Sequence, residues 1–233
     1  MRLALALALT FVGSVAGATD ITSAEFTDPT TRYAHGILGD AVEWGALEMR
    51  GDDGRRYRVV LPEERVFEDV APRLADVDLD GLTEVIVVES DLARGARLAV
   101  YDTGGLVTST DFIGTRNRWL APVGVGAADL DGDGVVEFAY VDRPHLAKTL
   151  RIFRFAEGAL EPVAELPGVT NHRIGETDIA GGIRACGGAP EMLVASADWS
   201  RLLAVRFDGA GFGVTDLGGD TTRAAFARAM TCR

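Results

Sequence analysis

The sequence predicts an all-β protein: a small β-propeller of about four four-stranded blades, with one short helix at the C-terminus. Two observations lead there. A unit of strand, polar turn, strand and glycine turn recurs behind glutamates at positions 43, 84, 137 and 191, a spacing in the range of propeller blades. Short apolar or alternating runs, punctuated by Gly, Asp and Asn, fill most of the chain between these marks, as strands and turns do. Repeated small sheets must also hide two faces and their edges, which radial packing around an axis achieves. A Greek-key β-sandwich is the competing architecture, but it has no need of repeated loop chemistry.

In chain order, residues 1–18 read as a secretory signal peptide: Arg2, an apolar run from Leu3 to Val12, and the small-residue ending Ala16-Gly17-Ala18. That run is too short for a membrane span, and no later segment is apolar enough to insert, so export to the periplasm or the extracellular space is expected. Residues 19–233 are then one domain. Residues 19–36 are expected to supply a strand that closes the ring against the last repeat. The repeats follow at about 33–66, 67–114, 115–168 and 169–219. Within each, the glutamate precedes an apolar strand, as in "EVIVVES" from Glu84, "EFAYVD" from Glu137 and "EMLVAS" from Glu191. Residues 221–230, "TTRAAFARAM", set Ala, Phe and Met on one face behind Thr222 as N-cap and predict the helix.

Two loops carry the strongest chemical signal. Asp76, Asp78 and Asp80 alternate ahead of Gly81 and Glu84, and Asp129, Asp131 and Asp133 do the same ahead of Gly134 and Glu137. Hard oxygen donors at this spacing, with the backbone carbonyls of Leu82 and Val135 at the seventh position, suit Ca²⁺. An EF-hand would need a glutamate at position 12 and a following helix, whereas Val87 and Tyr140 stand there inside apparent strands. An ion-free acidic turn would leave four carboxylates repelling one another. Calcium at two sites is therefore expected, and Mg²⁺, which demands tight octahedral geometry, is disfavoured.

The loops "DVDLDGLTE" and "DLDGDGVVE", each leading into an apolar strand, resemble the FG-GAP or VCBS repeats of integrin-α-like β-propellers. The resemblance implies that each loop joins the first two strands of a blade and binds Ca²⁺ in a structural role. It also implies that partners dock on loops at the opposite face. The last unit, "ETDIAGGIRACGGAPE", aligns Asp178, Ala180 and Gly182 with the ligand positions and so is expected to lack the ion. The first, "HGILGDAVEW", keeps only Asp40 and Glu43.

Cys186 and Cys232 are the only cysteines, and in an oxidising compartment they are expected to form a disulfide that staples the last unit in place of the lost ion. The acidic balance, 35 Asp and Glu against 23 Lys and Arg, argues against nucleic acid as a partner. Nucleophile-elbow, zincin and P-loop motifs are missing, and "GVGAAD" from Gly124 reads as a tight inner strand rather than a nucleotide loop. The expected function is thus a non-catalytic, monomeric module that binds a protein or glycan. The alternatives are a hydrolase-like enzyme using an axial cleft, and a structural subunit of an envelope complex. The binding-face candidates are Tyr33, His35, Arg118, Trp119, His145, His172, Arg173 and Trp199, because arginine beside an aromatic is a common interface hot spot. For Trp119 and Trp199 the competing reading is packing between blades.

Overall fold

The computed structural model describes residues 19–232; the expected signal peptide, residues 1–18, lies outside the described residues. Among the described residues seventeen strands form three antiparallel sheets, followed by one helix. The strands of the first sheet are β1 (Ile21–Thr30), β2 (Glu43–Gly51), β3 (Arg56–Val60), β4 (Arg65–Phe67), β5 (Arg73–Ala75), β6 (Glu84–Asp91), β7 (Gly95–Asp102) and β8 (Gly105–Ser109). The second holds β9 (Leu120–Ala128), β10 (Glu137–Asp142), β11 (Thr149–Ala156) and β12 (Ala159–Pro167). The third holds β13 (Val169–Thr170), β14 (Gly182–Arg184), β15 (Glu191–Ser196), β16 (Leu202–Phe207) and β17 (Phe212–Gly218).

Three of the expected units are four-stranded meanders. The second sheet runs β9-β10-β11-β12. In the other two the inner strand is interrupted, so β4 and β5 share one edge of β6, and β13 and β14 share one edge of β15. The first unit differs from expectation. Its three strands, β1-β2-β3, merge with the next meander through β4, which pairs with both β2 and β6.

The second strand of each meander is apolar on both sides because it lies between two packed faces. β6 and β10 are buried at every residue, and continuous apolar runs are what such strands require. Ile86, Val88, Leu98 and Val100 pack against Leu120, Phe138 and Tyr140, joining the first two sheets. Ala139, Val141 and Ile152 pack against Met192, Val194 and Val205, joining the second and third. On the near side, Leu47, Met49 and Phe67 meet Val85, Val87 and Tyr101.

The far face of the third sheet meets neither another sheet nor β1. Leu193, Ala195, Leu202 and Ala204 lie under Ala225, Phe226 and Ala229 of α1 (Arg223–Met230). Thr222 caps that helix as expected, accepting from the Ala225 N–H at 3.2 Å. The expected closure by residues 19–36 is therefore corrected: β1 pairs along the length of β2, and a helix covers the face that a closing strand would have needed. No helix among the described residues is long and apolar enough to cross a membrane.

The inner strands meet at glycine. Gly124 sits at φ +63°, and a Cβ there would stand 2.9 Å from Gly182 Cα on β14. Arg73 of β5 closes the same junction, its Nε donating to the Gly124 carbonyl at 2.8 Å. "GVGAAD" is thus a close-packed inner strand, as its small residues suggest.

Candidate metal loops and the cavity at the other end of the strands

Register defines which loops are equivalent. Ala75 pairs with Glu84, Ala128 with Glu137, and Arg184 with Glu191. The connections between these pairs, 76–83, 129–136 and 185–190, occupy the same place in three successive units. This moves the last connection downstream of where the sequence alignment put it. Asp178 and Ala180 precede β14 and Gly182 lies within it, while the true counterpart, "ACGGAP", is two residues shorter, has no acid and contains Cys186. Cys186 is disulfide-bonded to Cys232, with Cα atoms 5.7 Å apart, so the staple occupies the third loop itself.

In the first loop one carboxylate oxygen each from Asp76, Asp78 and Glu84 lies within 4.8 Å of the others, and Asp129, Asp131 and Glu137 match this in the second. These two clusters could hold a metal ion. The loops build themselves around their own amides. Asp76 accepts from Gly81 N–H at 3.0 Å, and Glu84 from Val77 N–H at 2.9 Å. Asp129 accepts from Gly132 and Gly134, and Glu137 from Leu130 N–H at 2.8 Å. Asp80 and Asp133 stand outside the triads, each capping the amide two residues on, at Leu82 and Val135.

Burial, followed by the carboxylates of Asp78, Asp80 and Asp76, pushes the Glu84 carboxyl up to about 7. Glu137 is also raised by burial, but the Leu130 amide and the Arg154 guanidinium oppose the shift. Asp76 Oδ1 is buried and has no hydrogen-bond partner among the described residues. An acceptor in that condition is costly unless something positive completes it, and a divalent cation held by Asp78 and Glu84 would do so. The residues fit such an ion.

The strands carry these loops at one end and a cavity at the other. Trp119 precedes β9 and Asp129 follows it; nine residues at about 3.3 Å each set the two ends about 30 Å apart. At the Trp119 end a cavity of about 300 Å³ is lined by residues from separate loops: His35 and Ile37, then Asn117 to Trp119, then Arg143, His145, Leu146 and Ile174. Four of the eight binding-face candidates, His35, Arg118, Trp119 and His145, converge here.

Three candidates are corrected as exposed contacts. Tyr33 and His172 are 0% exposed and Trp119 is 2% exposed. Tyr33 accepts from the Asn117 N–H, while the Trp119 indole donates to the Glu68 carbonyl at 2.8 Å and meets the His172 ring edge-on. Their polar tips are spent inside the fold, and of the three Trp119 alone lines the cavity. Arg173 and Trp199 stand apart, the guanidinium 3.7 Å above the indole.

His35 Nδ1 lies 2.6 Å from Oε1 of the wholly buried Glu68, whose other oxygen accepts from the Ser90 hydroxyl. Burial raises the Glu68 carboxyl, and His35 opposes that shift. His172 donates from Nε2 to the Glu176 carbonyl, so its Nδ1 accepts from His145 Nε2–H at 3.1 Å. Burial holds both of these rings below the usual histidine value, His145 at about 4, so the pair is neutral at pH 7. Arg118 has no carboxylate partner among the described residues, whereas Arg143 is held by Asp142 through two bonds. Leu146 and Ile174, 63% and 69% exposed, form an apolar rim.

Sequence reasoning missed Glu68, Arg143, Leu146 and Ile174, which carry no spacing signal, and it missed Arg154. For Arg154 a signal existed. "RFAEG" and "RFDG" place arginine ahead of the glycine turn in two units where the preceding unit has "YDTGG".

Residues 76–140 match the family model of the FG-GAP-like repeat. That segment spans both acidic loops and the strands β6 to β9 between them. No curated protein sequence matches the chain.

Proposed function

We propose that this chain, with an FG-GAP-like repeat at its centre, is an exported, calcium-stabilised binding module of β-propeller type. Its ligand is a protein that docks over the cavity at the Trp119 end. The observation that supports this best is convergence: four separate loops, drawn from three of the units, meet at one concave site, away from the acidic loops. The Arg118 guanidinium, with no carboxylate partner among the described residues, beside the exposed Leu146 and Ile174 has the make-up of a protein-binding hot spot with an apolar rim. A glycan partner is supported less, because Trp119, the tryptophan in the wall, is buried and packed against His172.

In this reading Ca²⁺ is held by Asp76, Asp78, Asp80, the Leu82 carbonyl and Glu84, and by Asp129, Asp131, Asp133, the Val135 carbonyl and Glu137. It locks the turns between inner and second strands. The role is structural, and the leader at 1–18 together with the Cys186–Cys232 bond suits an oxidising compartment. A second reading, hydrolysis in the cavity, draws on the carboxylate-oriented His35. Against it, none of the side chains lining the cavity is a serine, threonine or cysteine nucleophile.

The test is capture of a partner from the envelope fraction and its reconstitution with the purified chain. Arg118→Ala combined with Ile174→Ser changes side chains that leave the core intact, and it is expected to weaken a defined complex by at least tenfold while the melting temperature stays put. Undiminished affinity would refute the cavity as the docking site. Turnover that is abolished by His35→Ala would favour the enzyme instead.

A further inference from the structure

The three equivalent loops form a graded series, and the residue facing each glutamate from the third strand sets the grade. The register Val85↔Tyr101, carried one residue further, places Asp102 opposite Glu84. Arg154 is paired opposite Glu137, and the register Met192↔Val205 places Arg206 opposite Glu191.

The side chains respond accordingly. In the first loop no lysine, arginine or histidine among the described residues comes within salt-bridge distance of Asp76, Asp78, Asp80 or Glu84, and Asp102 folds onto the amides of Gly104 and Gly105. In the second, Arg154 reaches three of the four carboxylates. Its Nη2 stands 2.7 Å from both Asp131 and Glu137 and 3.1 Å from Asp133, while Nε adds a bond to Glu137 at 2.9 Å. In the third, Glu191 is held by Arg184 at 2.8 Å and approached by Arg206 at 3.6 Å. The loop there has lost its acids, and a disulfide holds it.

We infer that Arg154 makes the two acidic loops unequal toward a divalent cation: the 76–84 loop takes it tightly, and the 129–137 loop takes it weakly because a guanidinium already occupies three of its carboxylates. This rests on the metal reading above. The physical reason is competition. A cation entering the second loop must displace Arg154 or sit close to a fixed positive charge, and repulsion between like charges at a few ångströms is large wherever water is partly excluded. The first loop presents no such charge, and its Asp76 Oδ1 is unpartnered. Arg154 in exchange lets the second loop keep its shape at low calcium.

Calorimetric titration of the chelator-stripped chain with Ca²⁺ tests this. Two classes of site at least about tenfold apart are expected, a separation of about 1.4 kcal/mol. Asp78→Asn should remove the tight class and Asp131→Asn the weak one. Arg154→Gln should bring the weak class to within about threefold of the tight one. The reciprocal change, Asp102→Arg, should weaken the tight class by about tenfold, which keeps the inference testable if Arg154→Gln fails to fold. Equal affinities in the unaltered chain, a weak class unmoved by Arg154→Gln, or a tight class unmoved by Asp102→Arg would overturn it while leaving the metal reading intact. Absence of uptake at either loop in every variant would overturn both.

Discussion

Glu43 starts β2 like the other repeat glutamates, yet it meets neither an ion loop nor a cation. It is 2% exposed, no arginine, lysine or histidine pairs with it among the described residues, and its neighbours are carboxylates. Burial, then Glu68, Asp40 and Asp69, push its carboxyl up to about 9 from a starting value of 4.5. The folded chain therefore keeps this proton through neutral pH, whereas the unfolded chain gives it up near 4.5. Stability from this group is fully present below pH 4.5 and drains away as pH rises toward 9, because the unfolded state binds fewer protons throughout that window. At pH 7, 2.5 pH units above 4.5, the loss is about 3 kcal/mol at 1.36 kcal/mol per unit. Glu43→Gln keeps the shape and cannot ionise. The variant should be more stable than the parent by about 3 kcal/mol at pH 7, and by less than about 1 kcal/mol at pH 5. In melting temperature the pH 7 gain is roughly 6–12 °C for a domain of this size. Urea unfolding of both proteins at pH 5, 6, 7 and 8, at fixed free calcium, reads the difference directly. A difference that does not change with pH, or a glutamine variant less stable at pH 7, would refute the account.

Two further changes probe the scaffold. Replacing Cys186 and Cys232 by serine opens a link between residues 46 apart, and the chain-entropy model puts the loss at about 4 kcal/mol; a loss below about 1 kcal/mol in urea would mean that α1 stays docked on Leu193, Leu202 and Ala204 by apolar contact alone. Gly124→Ala places a Cβ 2.9 Å from Gly182 Cα at a φ of +63°, which should cost about 2–3 kcal/mol from left-handed strain plus overpacking. An unchanged urea midpoint would show that β9 and β14 are free to separate.

The strands and the capping helix were readable because apolar runs, glycine turns and an N-cap are local signals. The acidic loops were readable because a metal-binding turn compresses its donors into nine residues. What escaped was set by register and by packing between units. Trp119 and Tyr33 have the composition of a binding face, yet their polar tips find Glu68 and Asn117 across the fold, which no local pattern encodes. Asp178 looked like a surviving ligand because the alignment counted along the chain. The pairing of Arg184 with Glu191 moves the loop past it. Residues 19–36 looked free to close a ring because nothing in their sequence shows that α1 already covers the last sheet.

The repeat glutamates give this a physical form. Glu43, Glu84 and Glu137 are all raised by burial, so the position itself is hostile to a bare negative charge, and each unit must answer that hostility. Glu43 keeps its proton, Glu137 takes an arginine from the facing strand, and Glu191 takes two. Glu84 has no cation among the described residues; beside the Val77 amide its surroundings are three aspartates, one of which, Asp76, has a buried oxygen without a donor. Of the two glutamates in clusters that could hold a metal ion, it is the one with no competing guanidinium among the described residues. Selection for a stable strand start can therefore be met by a proton, a guanidinium or a divalent cation. A chain in which neighbouring units meet it differently keeps the repeated backbone while losing the repeated chemistry.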